Sequence, residues 1–467
     1  MRFSIPSIEF FERDVRLRMP FRFGVVTLTE SPQAFARVRI RLEDGREATG
    51  AAAELLAPKW FDKNPALTNE DNFDQLRLAL SLAREAYLAG GVNTAFAHNR
   101  AHYAAQIESG AKRGLNSLVA NYGPALIDRA ALDALCRACG VSFHKAVQSN
   151  LPGLTAFEGI DLAGFAAGLK PAARIAARHT VGLVDPIVAA DNAVPVNDGL
   201  PETLEEVVER YGQKYFKLKV GGNIAADLER LAAIAAVLDR IREPYHASLD
   251  GNEQYEDVEG VAELWAKMKA EPRLARLVAS IIFIEQPIKR QNAFDKSVAK
   301  LSAEKPVIID ESDDSLDAFP RARGLGYRGV SSKTCKGLYK SLINRARCAQ
   351  WDREAGAGSY MMSGEDLTIQ PGLALQQDLA LVALLGLTHV ERNGHHYVNG
   401  MASLPEAEQS GFLAAHYDLY ERSHGAVRVA IREGVLEIGT LGCTGYASAV
   451  MPDWDSMRTM ELRKDNA

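Results

Sequence analysis

The strongest constraint on the fold of this 467-residue chain is an alternation of short apolar runs with amphipathic stretches, which begins near residue 178. Eight such runs are predicted as strands, at residues 179–186, 215–220, 246–250, 281–285, 307–310, 329–335, 359–363 and 388–392. The segments between them, among them 227–241 and 338–354, repeat apolar residues at helical spacing. Eight strands separated by helices predict an α/β fold, a (β/α)8 barrel of the TIM type. In such a barrel the functional side chains lie at the carboxyl ends of the strands.

The first third of the chain has a different pattern of polar and apolar residues. Residues 15–19 and 37–42 alternate polar and apolar side chains, as antiparallel strands do when one face is buried. Helical periodicity then takes over at 69–88 and again at 116–146. This order of strands followed by helices predicts an N-terminal α+β domain.

A chain of this length is too long for one ordinary core. We predict an N-terminal domain at residues 1–165, a catalytic barrel at 166–404 and a C-terminal segment at 405–467. Within that last segment, residues 426–438 return to strand-like alternation. We expect them to pack back on the N-terminal domain.

Composition excludes several classes of protein. Hydrophobic residues make up 47% of the chain and charged residues 24%, and the net charge is −6, which is typical of a soluble globular protein. No Lys/Arg block predicts nucleic-acid binding, and no apolar run approaches the roughly 18 residues that span a bilayer. Five cysteines do not form a disulfide framework in a chain of this size. We therefore expect a cytoplasmic protein without a nucleic-acid or membrane partner. We also expect a homo-oligomer, although the composition does not specify the oligomeric state.

Charged side chains stand where five consecutive runs end. Counted as barrel strands, the residues are Lys217 and Lys219 on the second, Asp250 and Asn252 on the third, Glu285 on the fourth, Asp310 and Glu311 on the fifth, and Lys333 on the sixth. The second and sixth strands are half a turn apart in an eight-stranded ring, and the carboxylates lie on the arc between them. The sequence thus predicts an anionic site flanked by amines on both sides.

Strand parity decides which of these side chains share a face. Lys217 and Lys219 are two residues apart and point the same way, whereas Asp310 and Glu311 are adjacent and must point to opposite faces. We assign Asp310 to the barrel mouth and Glu311 to a supporting position. The reverse assignment remains an alternative.

Three carboxylates without a His or Cys partner favour a hard cation, with Mg2+ the first choice and Mn2+ the second. The candidate ligands are Asp250, Glu285 and Asp310. The cation would relieve the repulsion between the carboxylates and act as a Lewis acid toward a substrate carboxylate. Lys217 is expected to lower the pKa of the neighbouring Lys219 amine toward that of a general base, and Lys333 would serve the opposite face.

These motifs resemble the enolase superfamily, and within it the muconate-lactonizing-enzyme subgroup of the mandelate racemase/muconate lactonizing enzyme family. The matching pieces are Lys-x-Lys at 217–219, Asp-Gly-Asn at 250–252, Glu-Gln-Pro at 285–287, Asp-Glu at 310–311 and Lys-Thr-Cys-Lys-Gly at 333–337. Residues 20–24 resemble the mobile capping loop of that family. In its mandelate-racemase branch a His–Asp dyad replaces the second lysine, and Lys333 argues against that branch.

The resemblance implies an N-terminal capping domain, completed by the C-terminal tail, over a modified barrel. It also implies Mg2+ held by the three candidate carboxylates, with Lys219 and Lys333 as acid and base. Candidate substrate contacts are Asn252, Glu311, Glu365, Glu391, Arg22 and Trp60, the last two on loops that could close the mouth. The ends of the seventh and eighth strands lack the acidic signature of dipeptide epimerases, which leaves the substrate open.

We therefore predict an enzyme that abstracts the α-proton of a small carboxylate substrate through a metal-stabilised enediolate. Racemisation or epimerisation is the first hypothesis, because lysines on opposite sides serve both faces of the substrate. Cycloisomerisation or β-elimination, as in o-succinylbenzoate synthases, is the alternative within the class. A barrel glycosidase with paired carboxylates and a non-catalytic binding protein are more remote alternatives.

Overall fold

A computed structural model of the chain describes residues 1–23, 26–367, 370–393 and 396–461. The N-terminal part contains the strands β1 (Arg2–Phe23), β2 (Val26–Leu42), β3 (Glu47–Leu55) and β4 (Asn93–Thr94), and the helices α1 (Asn69–Ala89), α2 (Ala95–Ala111), α3 (Ser117–Ala120), α4 (Tyr122–Cys139), α5 (Phe143–Gln148) and α6 (Leu162–Ala167). Strands β1, β2 and β3 form an antiparallel meander. Helix α4 packs closely on β3 because Gly50 has no side chain there, and a Cβ at that position would lie 2.2 Å from the Ala130 carbonyl oxygen.

The middle of the chain alternates strands and helices. The strands are β5 (Arg174–Val181), β6 (Tyr215–Lys219), β7 (His246–Asp250), β8 (Ile281–Glu285), β9 (Val307–Ile309), β10 (Gly329–Ser332), β11 (Met361–Gly364) and β12 (His389–Glu391). The helices are α7 (Leu204–Tyr211), α8 (Ile224–Leu238), α9 (Val258–Ala270), α10 (Ala275–Ser280), α11 (Ala299–Glu304), α12 (Ala318–Gly324), α13 (Leu338–Ala355) and α14 (Leu373–Leu384). Strands β5 to β12 pair in parallel in chain order, and β12 pairs with β5 to close the ring. This confirms the predicted TIM-type barrel with an N-terminal α+β domain.

The C-terminal part contains α15 (Glu406–Ala415), β13 (Tyr420–Ser423), β14 (Ala426–Val429), β15 (Val435–Glu437) and β16 (Arg458–Thr459). Strand β16 pairs with β1, so the tail adds a strand to the N-terminal sheet. The expectation that residues 426–438 make this contact is wrong for β15, which pairs antiparallel with β5 of the barrel instead. An alternating pattern of polar and apolar residues predicts that one face of a strand is buried, but it does not show which sheet the strand joins.

Two other elements differ from expectation. The first barrel strand is Arg174–Val181 rather than 179–186, because the chain turns after Val181 at Gly182, whose amide donates to the Asp185 carboxylate (2.8 Å). The helical stretch at 116–146 is divided into α3, α4 and α5. Helix α4 ends at Gly140, which adopts a left-handed conformation with φ of 65° that favours glycine.

The N-terminal domain and the barrel are joined through buried charge. Glu54 on β3 accepts from Arg129 Nη2 of α4 (3.0 Å) and from the Thr334 hydroxyl (3.0 Å), which follows the sixth barrel strand. The Thr334 amide donates to Asp378 of α14 (3.2 Å). The domain therefore contacts the barrel directly beside Lys333. Within the described residues, no helix is long and apolar enough to cross a membrane.

Candidate active site

Lys217 stands at the centre of the strand-end cluster. Its ammonium nitrogen lies 2.8 Å from Asp250 Oδ2, 3.0 Å from Glu285 Oε1, 2.7 Å from Glu365 Oε2 and 3.1 Å from Glu391 Oε2. The carboxylates follow the third, fourth, seventh and eighth strands of the ring. All five side chains are buried. Side chains from four strand ends are thus gathered around one cation.

The two flanking lysines approach the cluster from opposite sides. Lys219 Nζ lies 2.5 Å from Asp250 Oδ2, and Lys333 Nζ lies 2.5 Å from Asp310 Oδ2. They follow the second and sixth strands, half a turn apart in the ring. The N-terminal domain places an aromatic ring over each: Trp60 is centred 4.3 Å from Lys333 Nζ, and Phe21 is centred 5.9 Å from Lys219 Nζ.

Asp310 and Glu311 point in different directions, as strand parity predicts. Asp310 faces the barrel interior, where it accepts from the Ser331 hydroxyl and lies 3.3 Å from Lys336 Nζ. Glu311 faces the N-terminal domain, with Lys63 Nζ 3.7 Å from its Oε1. This orientation agrees with the choice of Asp310 for the interior, although its role as a ligand stays a prediction.

The carboxylates of the cluster differ in their affinity for protons. Burial raises the pKa of Glu285 well above its ordinary value, and the negative charges of Glu365, Asp250 and Asp310 add to this, although Lys217 opposes it. Burial also acts on Asp250, but Lys217 and Lys219 outweigh it and lower the pKa of that group. Glu285 is therefore the member of the cluster for which further positive charge would be most stabilising.

Lys217 and Lys333 are held as cations. Burial opposes the charge on Lys217, but the four surrounding carboxylates raise its pKa well above the ordinary value. Burial likewise opposes the charge on Lys333, and the Asp310 carboxylate outweighs it and raises the pKa. Lys217 therefore places a positive charge next to Lys219. The sequence analysis predicts this arrangement, with Lys219 as the base and Lys217 as its charged neighbour.

The donor set has the chemistry that a hard divalent cation requires. Three carboxylates stand at adjoining strand ends, and Glu285 Oε2 has no hydrogen-bond partner within the part of the chain that the structure describes. Among those same residues, no group of three or more His, Cys, Asp or Glu side chains is arranged to hold a metal ion. Each of the three carboxylates contacts a lysine in the structure: Asp250 contacts Lys219, Glu285 contacts Lys217 and Asp310 contacts Lys333. The residues fit Mg2+ by chemistry, and the site itself stays a prediction.

A cavity opens between the N-terminal domain and the strand ends. The predicted residues that line it are Trp60, Lys217, Lys219, Asn252, Lys333 and Glu391. Residues that line it without having been predicted as site residues are Phe21, Leu28, Ala57, Asp366 and Leu367. Phe21 belongs to residues 20–24, which resemble a capping loop, and this resemblance indicates that Phe21 could lie at the site. The others carry no local signal, because their position depends on how the two domains meet.

Three predicted substrate contacts do not line this cavity. Arg22 is exposed on β1. Glu365 lies beneath the cavity, where Arg178 and the Ser363 hydroxyl donate to its Oε1. Glu311 accepts from Asn252 Nδ2 (3.4 Å) at the side. None of the three is tested as a substrate contact, but Glu365 and Glu311 are placed to orient other side chains.

Comparison with known proteins gives a family match for part of the chain. Residues 199–409 match the family of enolase C-terminal domain-like proteins. No curated protein sequence matches the chain. Over these residues the chain matches the enolase superfamily, and its fold is similar to those of solved mandelate racemase/muconate lactonizing enzymes. This confirms the predicted resemblance and the expectation of an enzyme.

Several solved structures share the fold over nearly the whole chain. The 2-chloromuconate cycloisomerase from Rhodococcus opacus 1CP is 16% identical with a TM-score of 0.59, covering 95% of this chain and 96% of that one. The L-Ala-D/L-Glu epimerase from Bacillus subtilis is 15% identical with a TM-score of 0.58, covering 95% and 98%. An enolase from the alpha-proteobacterium bal199 with bound Mg is 14% identical with a TM-score of 0.60, covering 97% and 98%. At these identities the likeness concerns the fold.

Proposed function

We propose that this protein is a Mg2+-dependent enzyme that abstracts the α-proton of a small carboxylate substrate, with racemisation or epimerisation as its reaction. The observation that carries the proposal is the placement of Lys219 and Lys333 in one cavity, at strand ends half a turn apart. A substrate bound between two such amines can lose its α-proton to one amine, and the planar anion that this leaves can accept a proton from the other. The similar folds of an epimerase and of an enzyme with bound Mg support this choice.

Each residue has a distinct part in the proposal. Asp250, Glu285 and Asp310 would hold Mg2+, which when bound supplies a Lewis acid for the negative charge that develops on the substrate. Lys219 and Lys333 would move the proton at the substrate α-carbon. Lys217 lies among four carboxylates and keeps a positive charge beside Lys219.

Cycloisomerisation or β-elimination is the second candidate. The cavity wall formed by Phe21, Leu28, Trp60 and Leu367 is apolar, which suits a carboxylate with a hydrophobic body. A cycloisomerase of similar fold supports this alternative. Such a reaction needs proton transfer on one face only, so one lysine would act on the proton and the other would orient the substrate.

Exchange of the substrate α-proton in D2O tests the proposal. Purified protein with Mg2+ is incubated with a panel of amino-acid derivatives, dipeptides and other small carboxylates, and deuterium at the α-position is followed by NMR. We expect exchange in the wild type and a loss of roughly 100-fold or more in Lys219→Met and Lys333→Met. For a racemase, each variant loses exchange with one enantiomer first.

The matched control is Lys305→Met. Lys305 is partly buried and donates to the Ile281 carbonyl (2.5 Å) at the opposite end of the barrel, so its loss removes an ammonium without touching the cavity. Exchange should be unchanged in this variant. Exchange that survives in both Lys219→Met and Lys333→Met would remove the proton-transfer assignments. Exchange of both enantiomers that is lost in only one of the two variants would favour the second candidate.

A further inference from the structure

Residues 57–63 of the N-terminal domain, which we call the capping segment and which are distinct from residues 20–24, contact the barrel through charged side chains outside the cavity. Arg290 follows the fourth barrel strand and donates from Nη1 to the Phe61 carbonyl (2.9 Å) and from Nη2 to the Trp60 carbonyl (2.8 Å). The same guanidinium donates from Nε and Nη2 to the two oxygens of Glu253, each at 2.8 Å. One side chain therefore holds two successive carbonyls of the segment and a carboxylate of the barrel.

Lys63 strengthens this contact from the segment itself. Its ammonium lies 2.5 Å from Glu253 Oε2 and 3.7 Å from Glu311 Oε1, and it donates to the Asn252 carbonyl (2.9 Å). Glu253 thus receives a cation from each side of the junction. We call Lys63, Glu253 and Arg290 the cap latch.

The cap latch is shielded enough for its contacts to hold the segment. The side-chain exposure is 4% for Glu253, 17% for Arg290 and 25% for Lys63. Bidentate hydrogen bonds between a guanidinium and a carboxylate are among the stronger polar contacts, and partial burial increases their strength. A fully exposed ion pair would stabilise the position of the segment much less, because solvent screens its charges.

We propose that the cap latch fixes Trp60 over Lys333, and that Arg290 is a positioning residue of the active site. The Trp60 carbonyl bonded to Arg290 and the Trp60 ring 4.3 Å from Lys333 Nζ belong to the same residue. Fixing that backbone fixes the direction from which the ring covers the ammonium. The inference rests on the proposed function only in taking the cavity to be the active site.

The cap latch also binds the segment to the strand ends that carry the candidate metal ligands. Asn252 and Glu253 follow Asp250, and Glu311 follows Asp310. A segment that leaves the barrel would release Lys63 from all three of its partners at once. Closure of the cavity and the arrangement of these strand ends are therefore coupled through Lys63.

Hydrogen exchange measured by mass spectrometry tests the proposal without any substrate or metal. In Arg290→Gln we expect the amides of residues 57–66 to exchange at least about tenfold faster, because the charged hydrogen bonds that hold the Trp60 and Phe61 carbonyls are lost. Arg290→Lys keeps the charge but cannot form the fork, so it should restore only part of the protection. Lys63→Gln should act in the same direction.

The matched control is Arg276→Gln. Arg276 also donates to loop carbonyls, those of Asp239, Ile241 and Glu243, far from the cavity. Its loss should speed exchange in that loop and leave residues 57–66 unchanged. Unaltered exchange of residues 57–66 in Arg290→Gln, or an equal increase over the whole chain, would overturn the proposal. Absence of α-proton exchange with every carboxylate would instead count against the proposed function and leave the cap latch intact.

Discussion

Lys217 shows how a buried cation can organise a site. Its ammonium is shared by carboxylates that follow four different barrel strands, so each of them is held toward the barrel axis. Taking away the cation would leave several buried charges uncompensated, which costs far more than an exposed pair does. The position of Lys217 is therefore a condition for the arrangement of its neighbours as well as a candidate contribution to the chemistry.

Single residues were predictable to different degrees. Lys217, Asp250, Glu285 and Lys333 each follow a locally apolar run, so strand ends and parity were enough to bring them together. The ion pairs of Lys217 with Glu365 and Glu391 were not predictable, because these partners lie 148 and 174 residues away and no local pattern specifies them. The fully buried Arg178 was missed for the same reason, since its partner Glu365 lies 187 residues away and follows a strand two places along the ring.

Loss of Glu285 tests the predicted metal site at the level of one residue. In Glu285→Gln we expect Mg2+ to bind at least about tenfold more weakly, because an anionic donor becomes a neutral one. Isothermal titration calorimetry with Mg2+ alone measures this without a substrate. Glu365→Gln is the control, because Glu365 is equally buried and also contacts Lys217. Equal losses in both variants would place Glu365 in the ligand set, and no loss in Glu285→Gln would remove that residue from it.

Strands of the barrel were easier to predict than helices of the N-terminal domain. A strand buried on both faces forms a short apolar run that turn residues delimit, and β6, β7 and β8 match their predicted runs to within a residue. The division of 116–146 depends on turns at Asn121 and Gly140, which interrupt a continuous helical pattern. The partner of β15 depends on the whole topology, and a sequence pattern does not contain it.

Three helices of the N-terminal domain meet at a buried carboxylate whose ionisation should be visible in stability. Asp128 of α4 accepts from the Tyr87 hydroxyl of α1 (2.7 Å) and from Asn99 Nδ2 of α2 (2.7 Å). Burial raises its pKa from 3.8 to about 7, although both hydrogen bonds oppose the shift. Because the folded-state pKa is raised, the contribution of Asp128 to stability is full below pH 3.8 and is lost as the pH rises through about 7.

The variant Asp128→Asn should remove this dependence. Between pH 5 and 8 we expect the wild type to lose on the order of 2 kcal/mol of unfolding free energy relative to the variant. Urea unfolding at several pH values measures the difference. Glu108→Gln, an exposed change on α2, should follow the wild type throughout. Parallel pH profiles for Asp128→Asn and the wild type would show that Asp128 does not titrate in this range.

The whole molecule depends on the buried junction between the N-terminal domain and the barrel. Arg129 and Glu54 are both buried, and Glu54 also binds Thr334 next to Lys333. Replacing Arg129 by Met leaves Glu54 without its cation, and we expect a loss of roughly 3–5 kcal/mol in the free energy of unfolding. Arg273→Met, which removes exposed pairs with Glu229 and Glu271, should cost much less, because solvent screens exposed charges.

A double variant distinguishes charge from packing at this junction. Adding Glu54→Gln to Arg129→Met removes the uncompensated carboxylate and should restore part of the lost stability. Denaturant unfolding of the four proteins forms the thermodynamic cycle. If the double variant is no more stable than Arg129→Met alone, the cost lies in lost packing and hydrogen bonds rather than in the buried charge.

The two rings over the lysines come from separate stretches of the chain and differ in size and distance. For a racemase this has a thermodynamic consequence, because mirror-image substrates have equal free energy in solution. The ratio kcat/KM must then be the same in both directions, whatever covers either amine. If the two rings make one enantiomer bind more tightly, that enantiomer must also turn over more slowly by the same factor. The asymmetry of the molecule would therefore appear in kcat and in KM separately, but not in the ratio kcat/KM.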